Sequence, residues 1–193
     1  MLAVDTTSSM AGVYLDFSLA DIWFASVQKC FGLPAGLGLL VLSPKAIGKV
    51  QRKGEKGRYN SLSFMLENAE NFQTHYTPNV LGIYLLNRSL QDIPFISTTA
   101  DILGSRMERL EEIIHQSESL DFLIQNPATR SRTVLGISGE ETFIQQIKKS
   151  AETAGMQMGS GYGSLKPTSF RIANFPAVTE KEFDVLVSFL KGY

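Results

Sequence analysis

The stretch from Ile22 to Leu42 constrains the fold most tightly. Two short apolar runs, Ile22-Trp23-Phe24-Ala25-Ser26 and Leu39-Leu40-Val41-Leu42, read as strands. Between them stand Lys29 and a glycine- and proline-rich turn, Gly32-Leu33-Pro34-Ala35-Gly36-Leu37-Gly38. A further apolar run ends at Asp5 and leads into Thr6-Thr7-Ser8-Ser9, a polar loop at a strand's C-terminal edge. Residues 1–4 read as a buried strand with no leader or cap ahead of it. A chain that opens in mid-core is expected to be a fragment, or a reading frame cut at its N-terminus.

A loop rich in Lys and Gly follows residue 42, and Leu62 to Glu70 reads as loop or short helix. Pro78 opens Asn79 to Leu90, where the spacing of Val80, Ile83, Tyr84 and Leu86 predicts a buried helix. Thr98 or Thr99 is placed to cap a long helix carrying Ile102, Leu103, Met107, Leu110, Ile113 and Ile114 at helical period. The texture then changes. Arg132 to Ile137 reads as a strand, Gly139 to Gly155 as an amphipathic helix and Ser169 to Asn174 as a strand. Thr179 and Glu182 have capping-box spacing ahead of a final helix with Phe183, Val185, Leu186, Phe189 and Leu190. This alternation predicts a small α/β domain with helices on one face of a sheet. The expected boundary lies near residue 97, giving segments 1–97 and 98–193.

With 193 residues, 44% of them hydrophobic, and a net charge of -1, the chain suits one or two globular domains. There is no basic surplus to neutralise phosphates, so neither nucleic acid nor an acidic membrane is an expected partner. Lys49, Arg52, Lys53, Lys56 and Arg58 form a locally basic run, but Glu55 interrupts it and a solvated loop is the expected reading. Cys30 is the one cysteine, which excludes an intrachain disulfide and fits a reducing cytoplasm. His75 and His115 are far apart in sequence and no Cys/His cluster exists, so no metal site is expected. The longest apolar stretch, Leu37 to Leu42, is too short to span a bilayer.

Lys29 follows an apolar strand and precedes glycines that let backbone approach a bound group closely. A lysine so placed can serve Schiff-base chemistry. By spacing alone the signal is weak, and an exposed strand-end lysine is the commoner reading. The glycines are not a dinucleotide fingerprint, because their spacing differs and a strand follows them. Asp5 at a strand end is a turn former or cap on one reading. On the other it is a partner for a protonated pyridine nitrogen, which would keep such a ring cationic and electron-withdrawing.

Asp5-Thr6-Thr7-Ser8-Ser9, Ser26-Val27-Gln28-Lys29 and Gly32-x-Pro-Ala-Gly together resemble the cofactor half of fold-type I, class V aminotransferases of the phosphoserine aminotransferase branch. His75-Tyr76-Thr77-Pro78-Asn79 and Ser169-Phe170-Arg171-Ile172-Ala173-Asn174-Phe175 agree, in the same order. The resemblance implies part of a pyridoxal phosphate (PLP)-transferase large domain, a mixed sheet with helices, followed by a small C-terminal α/β domain. It implies Lys29 as the Schiff-base lysine and proton carrier, Asp5 as partner of the pyridinium nitrogen, and Ser8 and Gln28 beside the cofactor. Thr77 would reach the cofactor phosphate of a neighbouring subunit, so a homodimer is implied. Arg171 would grip the substrate carboxylate, a task a guanidinium fork suits. The implied reaction moves an amino group from an amino acid to a 2-oxo acid, with serine biosynthesis as its setting. Where phosphoserine enzymes carry a His-Arg pair, this chain reads Gly161-Tyr162-Gly163-Ser164-Leu165-Lys166, which leaves the amino donor open. Another class V chemistry, a lyase or desulfurase, is the alternative, and a non-catalytic fragment of the fold is the third reading.

Overall fold

The apolar runs find partners in two separate sheets. The computed structural model describes residues 1–193. The chain divides into two compact units, Met1–Met10 with Leu15–Asp92, and Ala11–Tyr14 with Ile93–Tyr193. No helix is long and apolar enough to cross a membrane.

The first unit is built on β1 (Ala3–Asp5), β2 (Ile22–Ser26) and β3 (Gly38–Leu42), in the order β1-β2-β3. β1 runs parallel to β2 with Asp5 opposite Phe24, and β3 returns antiparallel with Gly38 opposite Ser26. Parallel strands need a crossover, here residues 6–21. Alternation along β2 buries Trp23 and Ala25 and leaves Phe24 38% exposed, so Phe24 is not a core residue. The expected burial of residues 1–4 is not met. Met1, Leu2 and Ala3 are exposed and Val4 is half-buried, because β1 is an edge strand paired on one side only.

Three helices follow, α1 (Pro44–Lys53), α2 (Leu62–Ala69) and α3 (Val80–Asp92). α1 occupies what the Lys/Gly content reads as a loop. Ser43 Oγ accepts from the Ala46 amide at 3.1 Å, Pro44 opens the first turn, and Gly54 ends the helix at φ 58°. Local caps outweigh composition here. α3 forms where periodicity places it, capped by the Gly82 amide donating to Asn79 Oδ1 at 2.9 Å, but none of its residues is buried. Periodicity identifies an apolar stripe; burial also needs a neighbouring layer.

The second unit contains α4 (Ile96–Gln116), β4 (Leu120–Phe122), β5 (Val134–Gly139), α5 (Glu141–Thr153), β6 (Gly159–Ser160), β7 (Ser169–Ala173) and α6 (Glu180–Leu190). Its sheet runs β4-β5-β7-β6, every pair antiparallel. Leu135 and Ile137 of β5 and Phe170 and Ile172 of β7 bury one face. They pack with Met107, Leu110 and Ile114 of α4, Ile144 and Ile147 of α5, and Phe183 and Leu190 of α6. The alternate residues, Gly136 and Arg171 among them, therefore lie on the opposite face. α4 starts at Ile96, ahead of the expected Thr98 or Thr99 cap; Phe95 holds the cap position without a side-chain bond, and the buried Thr99 hydroxyl donates to the Pro94 carbonyl at 3.4 Å. The capping box on α6 is present, with Thr179 and Glu182 bonded reciprocally. Arg106 Nε donates to Glu180 at 2.6 Å and Arg109 Nη2 to Asp184 at 2.5 Å, tying α4 to α6.

Two substitutions separate core from cap. Phe170 is fully buried, and Phe170→Ala is expected to cost about 3–5 kcal/mol of stability. Thr179→Ala is expected to cost about 1 kcal/mol. Urea denaturation followed by circular dichroism checks both, and equal losses would contradict the core assignment.

Candidate functional site

β1 and β2 are parallel and in register, so their C-terminal ends lie side by side. The loops that leave those ends, residues 6–10 and 27–33, are thereby brought together, the edge of a parallel pair where ligands commonly bind. Thr6 anchors the first loop. It is buried, and both its amide and its hydroxyl donate to the Phe24 carbonyl, at 2.8 and 2.9 Å. The amides of Ser9 and Met10 then donate to the Thr6 carbonyl, which winds residues 6–10 into a helical turn.

The second loop is pinned by Val27, 1% exposed, whose carbonyl accepts from the Leu33 amide at 3.2 Å. Lys29 begins a tight turn closed by the Gly32 amide donating to the Lys29 carbonyl at 2.9 Å, with Gly32 at φ 69°. From α3, Ser89 Oγ donates to the Phe31 carbonyl at 3.0 Å and Asn79 Nδ2 to the Gly36 carbonyl at 3.4 Å.

Ser8 joins the two loops. Lys29 Nζ donates to Ser8 Oγ at 2.7 Å, and the Cys30 thiol donates to the Ser8 carbonyl at 3.2 Å. Asp5 sits at the end of β1, exposed and without an ion pair. The Thr7 hydroxyl and amide, and then the charge of Lys29, hold its carboxyl below the usual carboxylate range. The Thr7 amide lies 2.9 Å from Asp5 Oδ1. An ionised, unpaired carboxylate beside a tethered amine is a donor set suited to a cationic ring with a reactive carbonyl. The Asp5 side chain thus closes an Asx turn and keeps its charge.

Three of the residues singled out from sequence, Asp5, Ser8 and Lys29, are brought together. Gln28 is next in chain but exposed, and its side chain makes no hydrogen bond. Thr77 is exposed in the segment leading to α3 and shares no hydrogen bond with the other three. Beside it, His75 packs edge-on against Tyr59, Phe64 and Tyr76, and its Nε2 is buried without a partner. Trp23 packs against Phe17, with ring centroids 5.4 Å apart.

In the second unit, Arg171 stands on the solvent face of β7. Its Nε donates to the Ser160 carbonyl at 2.8 Å and its guanidinium lies 4.2 Å from the Tyr162 ring. Arg130 is engaged by protein groups. It bonds Glu111 at 2.7 Å and the Ile124 and Gln125 carbonyls, and it stacks 3.6 Å from the Phe122 ring.

Cys30 is fully buried, and burial pushes its thiol up to about 12. The thiolate is the reactive form, so this cysteine is built as a packing residue. Because the folded pKa is raised, the protonated thiol favours folding below its ordinary pKa, and that contribution fades as the pH climbs toward the folded value. Alkylation by iodoacetamide at pH 8 is expected to be at least about a hundredfold slower in the native chain than in urea. Equal rates would contradict the buried, protonated thiol.

Residues 1–178 match the aminotransferase class-V family. The chain is 27% identical to phosphoserine aminotransferase of Rhodococcus opacus (strain B4) over 198 residues, covering 96% of this chain and 52% of that protein. It is 25% identical to phosphoserine aminotransferase of Corynebacterium glutamicum (strain R), covering 96% of this chain and 52% of that protein. The chain therefore spans about half the length of the curated relatives it matches. Among solved structures, phosphoserine aminotransferase from Cytophaga hutchinsonii superposes with a TM-score of 0.86 at 34% identity, over 98% of this chain and 54% of that one. An aspartate aminotransferase from Thermus thermophilus gives the same TM-score of 0.86 at 20% identity, over 98% of this chain and 54% of that one, a likeness of fold. The mixed α/β architecture is that of these aminotransferases, and the match over residues 1–178 shows that the chain belongs to the class-V aminotransferase family.

Proposed function

We propose that this chain is the lysine-bearing part of a PLP-dependent aminotransferase, with residues 1–97 contributing to cofactor binding and residues 98–193 forming the small C-terminal domain. The observation that carries the reading is the joined loop pair, in which Lys29 Nζ is held 2.7 Å from Ser8 Oγ beside the ionised Asp5. Support for the cofactor comes from family membership and from relatives such as the PLP-bound phosphoserine aminotransferase of Trichomonas vaginalis. PLP, when bound, supplies an electron sink for charge developed at a substrate's α-carbon.

The chain's own residues have distinct tasks. Lys29 is the covalent anchor, and its amine afterwards moves a proton at the substrate's α-carbon. Ser8 Oγ, an acceptor at 2.7 Å, orients that amine. Asp5 stays charged because Thr7 bonds it, and an anion there stabilises a protonated ring nitrogen. Gln28 and Thr77, both exposed hydrogen-bonding side chains, are the proposed phosphate contacts, Thr77 toward a second subunit in a homodimer. Arg171 is the proposed partner of the substrate carboxylate.

The substrates are an amino acid and a 2-oxo acid. Phosphoserine is the donor named by the relatives, and the setting proposed with it is serine biosynthesis in a cytoplasmic enzyme. The buried free thiol of Cys30 is consistent with a reducing compartment. The desulfurase alternative needs a mobile reactive thiol, and Cys30 is fully buried next to Lys29 with its pKa raised.

The test is chemical fixation. After incubation with PLP and borohydride reduction, peptide mass analysis is expected to place a single pyridoxyl group on Lys29, and Lys29→Ala is expected to abolish it. Asp5→Ala is expected to weaken loading by about tenfold, as loss of a charge-assisted contact would. Labelling spread over surface lysines and unchanged by Lys29→Ala would overturn the reading.

A further inference from the structure

Five arginines lie in the second unit, and four of them are at least half-buried: Arg106, Arg109, Arg130 and Arg171. Arg106 pairs with Glu180, Arg109 with Glu180 and Asp184, and Arg130 with Glu111. Arg171 has no carboxylate partner. A guanidinium partly withdrawn from water without an anion is unfavourable unless something else satisfies it.

Its surroundings are shaped to hold it open. On β7 its cross-strand neighbours are Gly136 of β5 and Gly159 of β6, so neither strand sets a Cβ directly opposite it; over Gly136 the space is taken by Leu123, 3.1 Å from where a Cβ there would sit. A Cβ at Gly159 would make ordinary van der Waals contact with the Arg171 Cβ at 3.4 Å and with one Nη at 3.5 Å, so a side chain there would lie against the guanidinium. Nε is spent on the Ser160 carbonyl at 2.8 Å. The Tyr162 ring covers one face of the guanidinium at 4.2 Å. Tyr162 itself is 72% exposed, so hydrophobic burial does not account for its place. The loop that carries it is tightly set: a Cβ at Gly161 would fall 2.1 Å from Ser169 Oγ and 2.7 Å from the Leu165 carbonyl oxygen.

From this geometry we infer that Tyr162 is a positioning residue for Arg171, holding the guanidinium so that its free end, the paired Nη groups, takes a carboxylate end-on. The inference deepens the proposed substrate-carboxylate role of Arg171 and rests on it. Ser160 fixes the Nε edge and Tyr162 fixes the plane, which removes most of the rotational freedom of a long side chain before any ligand arrives. The remaining fork matches one carboxylate bidentately.

The test uses the full chain with nitrogen-15 arginine and acetate as probe, reading the Arg171 Nε–Hε resonance. In the parent chain the ring current of Tyr162 is expected to shift that resonance upfield, and acetate to perturb it saturably. Tyr162→Phe is expected to keep the shift and an affinity within about twofold. Tyr162→Leu, with Tyr162→Met as a second non-aromatic variant, is expected to lose the shift and weaken acetate binding roughly two- to fivefold, the scale of one exposed cation–π contact. Non-aromatic variants that leave both readouts unchanged would overturn the inference, as would Tyr162→Phe losing as much as Tyr162→Leu. Arg171→Gln separates the two levels. If it abolishes acetate binding while Tyr162→Leu does not weaken it, only the positioning role falls. If Arg171→Gln leaves acetate binding unchanged, the carboxylate role of Arg171 falls, and the positioning role with it.

Discussion

Ser8 carries the interaction that joins the two loops at the end of the first unit's parallel strand pair. Its hydroxyl accepts from Lys29 Nζ and its carbonyl from the Cys30 thiol, so one residue clasps two consecutive residues of the opposite loop. The clasp is possible only because β1 and β2 are parallel and in register. A shift of one residue would move Asp5 away from Phe24 and reverse the faces of the whole strand. The parallel register places the loops, Thr6 and Val27 anchor them, and Ser8 joins them. The amine and the carboxylate then share one neighbourhood as a consequence of backbone geometry.

Much of this was readable in advance, for stated physical reasons. β2 was legible because its apolar run is bounded by polar residues and a glycine-rich turn, and α6 because Thr179 and Glu182 form a local capping box. Lys29 and Asp5 were legible as candidates by their strand-end positions and by resemblance. Ser8 belongs with them by the same resemblance, but its double role depends on a register that spacing cannot reveal. α1 was missed because its Lys and Gly content masks a helix set by Ser43, Pro44 and Gly54. β4 and β6 are three and two residues long, too short to carry a period. The exposure of α3 is illegible because burial depends on neighbouring layers, which a one-dimensional pattern does not contain.

The second unit shows a different economy of charge. Its buried and half-buried arginines stitch α4 to α6, or close the loop after β4, through carboxylates. Arg171 alone among them keeps an open fork, on a strand flanked by glycines, with a tyrosine against its face. The stretch from Ser160 to Gly163 holds the carbonyl, the tyrosine and the glycines that shape the arginine's surroundings.

Lys29 is the proposed anchor of PLP, with Asp5 at the ring nitrogen. A crystal structure of the chain grown with PLP tests it most directly. The account predicts continuous density from Lys29 Nζ to the cofactor, with the Asp5 carboxylate within hydrogen-bond distance of the pyridine nitrogen. Cofactor density joined to another lysine, or a ring nitrogen facing away from Asp5, would contradict it.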